Sequence, residues 1–238
     1  EKEQKAILEA LDQRINQRTP LPYITHTAWF CGYPFYVDER VLIPRSPIAE
    51  LIENNFSPWC DFQQNPPDRI LDLCTGSGCI GIACAMAYEE SQVDLIDISE
   101  DALAVAHKNI ARFELSDRVT GIQSNGFNAL DERYLNKYQL IISNPPYVDK
   151  SDFEGMPEEF KSEPELGLVS GDDGLDLVRN ILKHSAQYLT EDGMLVVEVG
   201  NSWLALENAF PDFPFTWVDF EFGGHGVFVL SAKELKQY

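Results

Sequence analysis

From Arg69 to the C-terminus, short apolar runs of strand length alternate with longer runs of helical periodicity, and no other feature constrains the fold as strongly. The pattern predicts strands at residues 70–73, 93–96, 119–123, 140–143, 194–199, 215–220 and 227–230. It predicts helices at residues 79–88, 100–113, 175–188 and 202–209. Strands that are apolar throughout need cover on both faces, which crossover helices supply. The expected fold is therefore α/β, a mostly parallel seven-stranded sheet whose ligands bind beyond the carboxyl ends of the strands. Functional residues should sit in the loops that follow the strands.

Upstream, Ala6, Ile7, Leu8, Leu11 and Ile15 recur at helical spacing, and the pattern stops before Thr19-Pro20. Two short strands around Cys31-Gly32 predict a hairpin, and residues 48–56 have helical periodicity. The expected division is the end of a helical N-terminal unit at 1–27, a hairpin linker at 28–45 and the main domain at 46–238. No apolar run approaches the roughly 18 residues needed to cross a bilayer, so a cytoplasmic protein is expected. The five cysteines form no CxxC pair, and His26, His107, His184 and His225 are scattered, so no metal is expected. A formal charge of -21 repels phosphate backbones and attracts basic proteins, which argues against direct nucleic-acid readout.

The first central strand runs into Asp72-Leu73-Cys74-Thr75-Gly76-Ser77-Gly78-Cys79 and then a helix, a loop through which backbone approaches a ligand closely. The second strand ends at Asp97-Ile98, and Asp97 lies 21 residues after Gly76, where its carboxylate is placed to accept from both ribose hydroxyls. Gly76, Gly78 and Gly81 formally match a dinucleotide fingerprint, which keeps a nicotinamide oxidoreductase open. Against that reading, Asp72 suits an ammonium better than a pyrophosphate. The third strand delivers Asn125-Gly126-Phe127 to the same end of the sheet.

The fourth central strand, Leu140-Ile141-Ile142-Ser143, terminates in Asn144-Pro145-Pro146-Tyr147. Two prolines remove two backbone donors and stiffen the loop, leaving the Pro145 carbonyl free to accept from outside the chain. The Asn144 side-chain oxygen and that carbonyl together suit a planar NH2 group, and Tyr147 offers a ring face for stacking. Beside a nucleoside site, this arrangement marks an amide or exocyclic amine nitrogen as the reacting atom. No strong base is needed there, since such a nitrogen releases a proton readily once it carries positive charge.

Asp72-x-x-x-Gly76-x-Gly78 with Asp97 and Asn144-Pro145-Pro146-Tyr147 resembles the motif series of S-adenosylmethionine-dependent methyltransferases of Rossmann-like class I fold. Residues 35–51, with Pro44-Arg45-Ser46-Pro47-Ile48-Ala49-Glu50, and residues 157–177, with Glu163-Pro164-Glu165 and Gly171-Asp172-Asp173-Gly174, resemble the bacterial protein-(glutamine-N5) methyltransferases. Ser46-Pro47-Ile48-Ala49 after Pro44-Arg45 is similar to the branch that modifies ribosomal protein L three of the large subunit, rather than to the release-factor branch. The resemblance implies S-adenosylmethionine as methyl donor, S-adenosylhomocysteine as product, and a helical N-terminal substrate-recognition domain of which residues 1–27 are the end. It implies cofactor contacts from Asp72, Cys74, Thr75, Gly76, Ser77, Gly78, Asp97, Ile98, Asn125, Gly126, Phe127 and Asn144. It implies a catalytic role for Asn144, Pro145, Pro146 and Tyr147, and substrate contacts from Asn144, Pro145, Tyr147 and Arg45.

In that family an acid usually stands at the position of Asn125 and a bulky apolar residue at that of Gly126. Asn125 accepts through its amide oxygen, and Phe127 is expected to fill the space at Gly126. Arg45 is expected to orient either the substrate or a neighbouring carboxylate. Ten acids between Asp149 and Asp176, against Lys150 and Lys161, predict a loop that attracts a basic ribosomal protein, free or within an assembly intermediate. The competing readings are an adenine methyltransferase of nucleic acid, the nicotinamide oxidoreductase, and an assembly factor without turnover.

Overall fold

A computed structural model describes residues 2–148, 155, 157, 159, 162–171 and 173–237. Helices α1 (Lys2–Ile15) and α2 (Leu21–Thr25) lead into a hairpin of β1 (Ala28–Phe30) and β2 (Tyr33–Phe35), then α3 (Ile48–Glu53). The main unit follows as β3 (Arg69–Leu73), α4 (Cys79–Ala87), β4 (Gln92–Asp97), α5 (Glu100–Arg112), β5 (Val119–Gln123) and β6 (Tyr138–Ser143). It is completed by α6 (Asp176–Tyr188), β7 (Leu189–Glu198), α7 (Trp203–Ala209), β8 (Thr216–Trp217), β9 (Val227–Ser231) and α8 (Ala232–Leu235).

The main sheet has seven strands in the order β5-β4-β3-β6-β7-β9-β8, parallel from β5 to β7, with β9 antiparallel to both β7 and β8. This is the Rossmann-like α/β fold. The chain builds outward from β3 to β5 and then returns to β6 on the other side of β3. The switch point therefore opens between β3 and β6, where open α/β sheets bind ligands. Strand registers pair Leu73 with Ile96 and Ser143, and Ser143 with Val197, so the residues just past these positions emerge at one level.

Period-two alternation divides the core. Ile70, Leu140, Ile142 and Val196 join one apolar cluster with Ile48 and Ile82, while Leu71, Ile141, Leu195 and Val197 join the other with Val178 and Leu182. The hairpin belongs to the first cluster, where the Phe35 and Phe113 rings stand 5.1 Å apart.

Four elements differ from expectation. Strand β7 begins at Leu189, because the polar Glu191-Asp192-Gly193 stretch continues the strand through an irregularity in its pairing with β6. The strand predicted at 215–220 shortens to Thr216–Trp217. Helices α2 and α8 are too short to show a periodicity, and α8 is set by a capping box between Ser231 and Glu234. Helix α1 has the expected extent but buries no residue. Among the described residues, no helix is long and apolar enough to cross a membrane.

Candidate active site

The loop between β3 and α4 is tied to β4 by Asp97. Its Oδ2 accepts the Gly76 N–H at 2.9 Å and its Oδ1 accepts the Ser99 N–H at 2.9 Å. Burial raises the Asp97 pKa above its ordinary value, against the opposing pull of its backbone hydrogen bonds. Asp97 lines a cavity of about 450 Å³ together with Cys74, Thr75, Gly76, Ser77 and Ile98. Asn125, Gly126 and Asn144 lie on the same walls. Gly78 ends the loop as the residue before α4, and Gly81 lies beneath it, where an added Cβ would collide with the Leu95 side chain. Gly81 thus serves helix-to-strand packing, and its match to a dinucleotide fingerprint has that structural cause.

Asp72 is not where the ammonium reading placed it. It has no exposed surface and is absent from the cavity wall. Its Oδ2 lies under the loop, accepting from Thr75 Oγ1 at 2.6 Å and from the Gly81 N–H at 2.9 Å, while Oδ1 has no partner among the described residues. Burial pushes its pKa up to about 7, against the opposing pull of those two hydrogen bonds. A folded-state value above the unfolded one means that this group's stability contribution is present below the unfolded pKa of about 4 and is lost as pH rises through the folded value. Asp72→Asn reproduces the neutral carboxyl in shape, with an NH2 group in place of the unpartnered O–H. Its melting temperature, measured without cofactor, is expected to match the parent at about pH 4 and to exceed it by at least about 5 °C at about pH 8.5. Coincident melting at the higher pH would refute the assignment.

Phe127 is likewise displaced from its expected place. Its ring stacks on Tyr188 at 4.8 Å in the second core cluster, and it does not line the cavity. The space at Gly126 is taken instead by Asn180 of α6. Gly126 has φ +55°, and a Cβ there would lie 3.0 Å from Asn180 Oδ1. Asn180 lines the cavity, so two amides, Asn125 and Asn180, stand where an acid and an apolar residue were anticipated. Nothing in the sequence pointed to Asn180, since it faces Gly126 from another element.

A second cavity, of about 280 Å³, opens on the other side of Asn144 and is lined by Pro145, Tyr147, Glu198 and His225 among others. Asn144 borders both cavities. Pro145 borders only the second and Pro146 only the first. The loop is held from three sides. Ser202 Oγ donates to the Tyr147 carbonyl at 2.7 Å, Tyr147 Oη donates to Glu198 Oε1 at 2.9 Å, and the Tyr147 ring packs against the Cα of Gly200 so closely that a Cβ there would lie 2.5 Å from Cε2. Glu198 Oε2 accepts from Ser46 Oγ at 2.5 Å, which joins the segment after the hairpin to the same carboxylate. Glu198 is 5% exposed, and burial raises its pKa while the Ser46 and Tyr147 hydrogen bonds oppose the shift. The residue was missed in sequence because it follows the last apolar residues of a strand with no motif of its own.

Arg45 borders both cavities, and its Nη1 donates to Glu163 Oε1 at 2.7 Å. Glu163 also accepts the Ile43 N–H at 3.0 Å, so the pair clips the segment before α3 to the segment after the Asn144–Tyr147 loop. Of the two expected partners for Arg45, the structure supplies the neighbouring carboxylate. Within the acidic stretch, Asp149, Asp152, Glu154, Glu158, Asp172, Lys150 and Lys161 lie outside the described residues. Four of the described acids are already paired, Glu159 with Arg14 and Arg18, Glu163 with Arg45, and Asp173 and Asp176 with Arg179.

Residues 60–160 match the methyltransferase small domain family. The chain is 53% identical over 236 residues to the ribosomal protein uL3 glutamine methyltransferase of Francisella tularensis, and 46% identical over 233 residues to that of Xanthomonas campestris. These matches cover 99% and 98% of the chain, and 74% of each relative. Among solved structures, the hMettl16 catalytic domain in complex with a MAT2A 3'UTR hairpin matches 95% of the chain and 79% of its own, with a TM-score of 0.61 at 17% identity. That degree of identity carries the fold alone. Near-complete coverage at 53% identity carries more: the chain belongs to the family of the ribosomal protein uL3 glutamine methyltransferases.

Proposed function

We propose that this protein methylates the side-chain amide nitrogen, N5, of a glutamine in ribosomal protein uL3, using S-adenosylmethionine and releasing S-adenosylhomocysteine. The observation that carries the reading is the position of Asn144, the residue of the Asn144-Pro145-Pro146-Tyr147 loop that borders both the 450 Å³ and the 280 Å³ cavities at the switch point of the sheet. The larger cavity fits the methyl donor. It offers Asp97 as acceptor for ribose hydroxyls, the Cys74–Ser77 backbone for the methionine end, and Asn125, Gly126 and Asn180 for a base. When bound there, S-adenosylmethionine supplies an electrophilic methyl group on a sulfonium sulfur.

The chain's residues prepare the other reactant. An amide nitrogen is a poor nucleophile because its lone pair is delocalised into the carbonyl. Acceptance of its two hydrogens by the Asn144 side-chain oxygen and the Pro145 carbonyl favours a more pyramidal nitrogen with its lone pair aimed across Asn144. A nitrogen–carbon bond forms as the sulfur–carbon bond breaks, and one amide proton then leaves. Glu198, on the wall of the same cavity, is bound by the Tyr147 and Ser46 hydroxyls, and its role is to fix the Tyr147 ring and the 45–47 segment about the target. The net charge of -21 suits a basic ribosomal protein.

The test is incubation with labelled S-adenosylmethionine and ribosomal proteins from a strain lacking the enzyme. Label is expected on one glutamine of uL3, located by mass mapping. Label on nucleic acid, or on a release factor in preference to uL3, would overturn the proposal.

A further inference from the structure

The loop joining β8 to β9, residues 218–226, buries Val218 and packs Phe220 against the first core cluster, yet it turns its other phenylalanine, Phe222, outward. Phe222 is 82% exposed, the most exposed large apolar side chain among the described residues. The loop beneath it is firmly placed. The Glu50 carboxylate accepts the Glu221 N–H at 2.9 Å and the Phe222 N–H at 3.2 Å. Gly224 adopts φ +108°, open only to glycine, and packs on Pro47, where an added Cβ would lie 2.6 Å from the proline Cβ. Gly226 packs against the Gly200 backbone, and His225 Nε2 is 2.8 Å from Asn201 Oδ1. Gly224 and His225 themselves form part of the wall of the 280 Å³ cavity beside Tyr147 and Glu198.

An exposed aromatic at the tip of a flexible loop needs no explanation. One held by two backbone hydrogen bonds, two close glycine packings and the His225–Asn201 contact, beside residues that wall a substrate cavity, does. We infer that residues 221–225 form a subsite for the polypeptide flanking the target glutamine, with Phe222 packing on that peptide just outside the cavity. The inference rests on the proposed function and adds to it the element that reads the protein substrate. The charges on the loop commit the occupant further. Asp219 and Glu221 are exposed, Glu50 lies at the base, and residues 218–226 include no lysine or arginine, so the complementary ligand is a basic peptide segment rather than a nucleic acid.

Because Phe222 has almost no buried surface, its replacement leaves the fold intact. For Phe222→Ala, steady-state methylation of purified uL3 is expected to show a KM raised about tenfold, with the loss of kcat/KM carried by KM, as for uniform binding removed from both ground and transition states. Phe222→Trp is expected to restore KM to within about twofold of the parent. An unchanged KM in Phe222→Ala, or a loss confined to kcat, would overturn the inference while leaving the proposed function in place. Failure of the unsubstituted enzyme to methylate uL3 would instead overturn the function on which the inference rests.

Discussion

Replacing Asn144 by alanine is expected to lower kcat for uL3 methylation by about a hundredfold, while the affinity for S-adenosylhomocysteine changes by less than about threefold. The asymmetry follows from where the side chain stands. The larger cavity keeps its loop, Asp97 and its Asn125–Gly126 wall without Asn144, so the product nucleoside retains its binding groups. What is lost is an acceptor for the amide NH2 at the point where the two cavities meet. As the nitrogen gives its lone pair to the methyl carbon it gains positive charge and its hydrogens become more strongly polarised, so the missing bond stabilises the transition state more than the bound substrate. Single-turnover rates and calorimetric titration of S-adenosylhomocysteine separate the two quantities. A kcat within about twofold of the parent would remove Asn144 from the reaction.

Glu198→Ala is expected to reduce kcat/KM about thirtyfold, and Glu198→Gln no more than about fivefold. The alanine variant strands the Tyr147 and Ser46 hydroxyls in a buried site, at roughly 1–2 kcal/mol for each unmade bond. It also frees the Tyr147 ring and the 45–47 segment to drift from the target amide. Glutamine offers one acceptor oxygen and one donor NH2, and a hydroxyl can serve either, so both links survive with one reversed. The conservative variant therefore distinguishes positioning from charge. If Glu198→Gln were as slow as Glu198→Ala, the negative charge itself would be required and the positioning role would fail. Parallel kinetics of the two variants across pH provide the check.

The motifs legible in sequence share a property: each is contiguous and follows a strand. Asp72 to Cys79, Asp97, Asn125 to Phe127 and Asn144 to Tyr147 all lie at or just after strand ends, and a parallel sheet brings such strand ends to one edge whatever its side chains do. Their order along the chain, with turn residues placed after strand residues, was enough to predict the sheet and the edge at which the site is proposed. The side chains within those motifs were less predictable. Asp72 turns beneath the loop, and Phe127 turns into the core toward Tyr188. A residue's position in a motif determines its backbone placement, whereas its rotamer answers to neighbours from other elements.

The residues that complete the site came from those other elements. Glu198 lies 51 residues from Tyr147 and 152 from Ser46, and Glu163 lies 118 from Arg45. Asn180 reaches Gly126 from the opposite helix. No periodicity or spacing rule relates positions so far apart, because their proximity is produced by strand order and helix packing. By itself the sequence determined the α/β class, the strand ends at which the site is proposed and the proline-stiffened Asn144–Tyr147 loop, since these depend on hydrophobic period and local backbone restriction. Only the tertiary structure decided which buried carboxylate steadies Tyr147, which amide stands over Gly126 and which aromatic is left at the cavity rim. Hydrogen bonding and packing between distant segments are settled by the folded geometry alone.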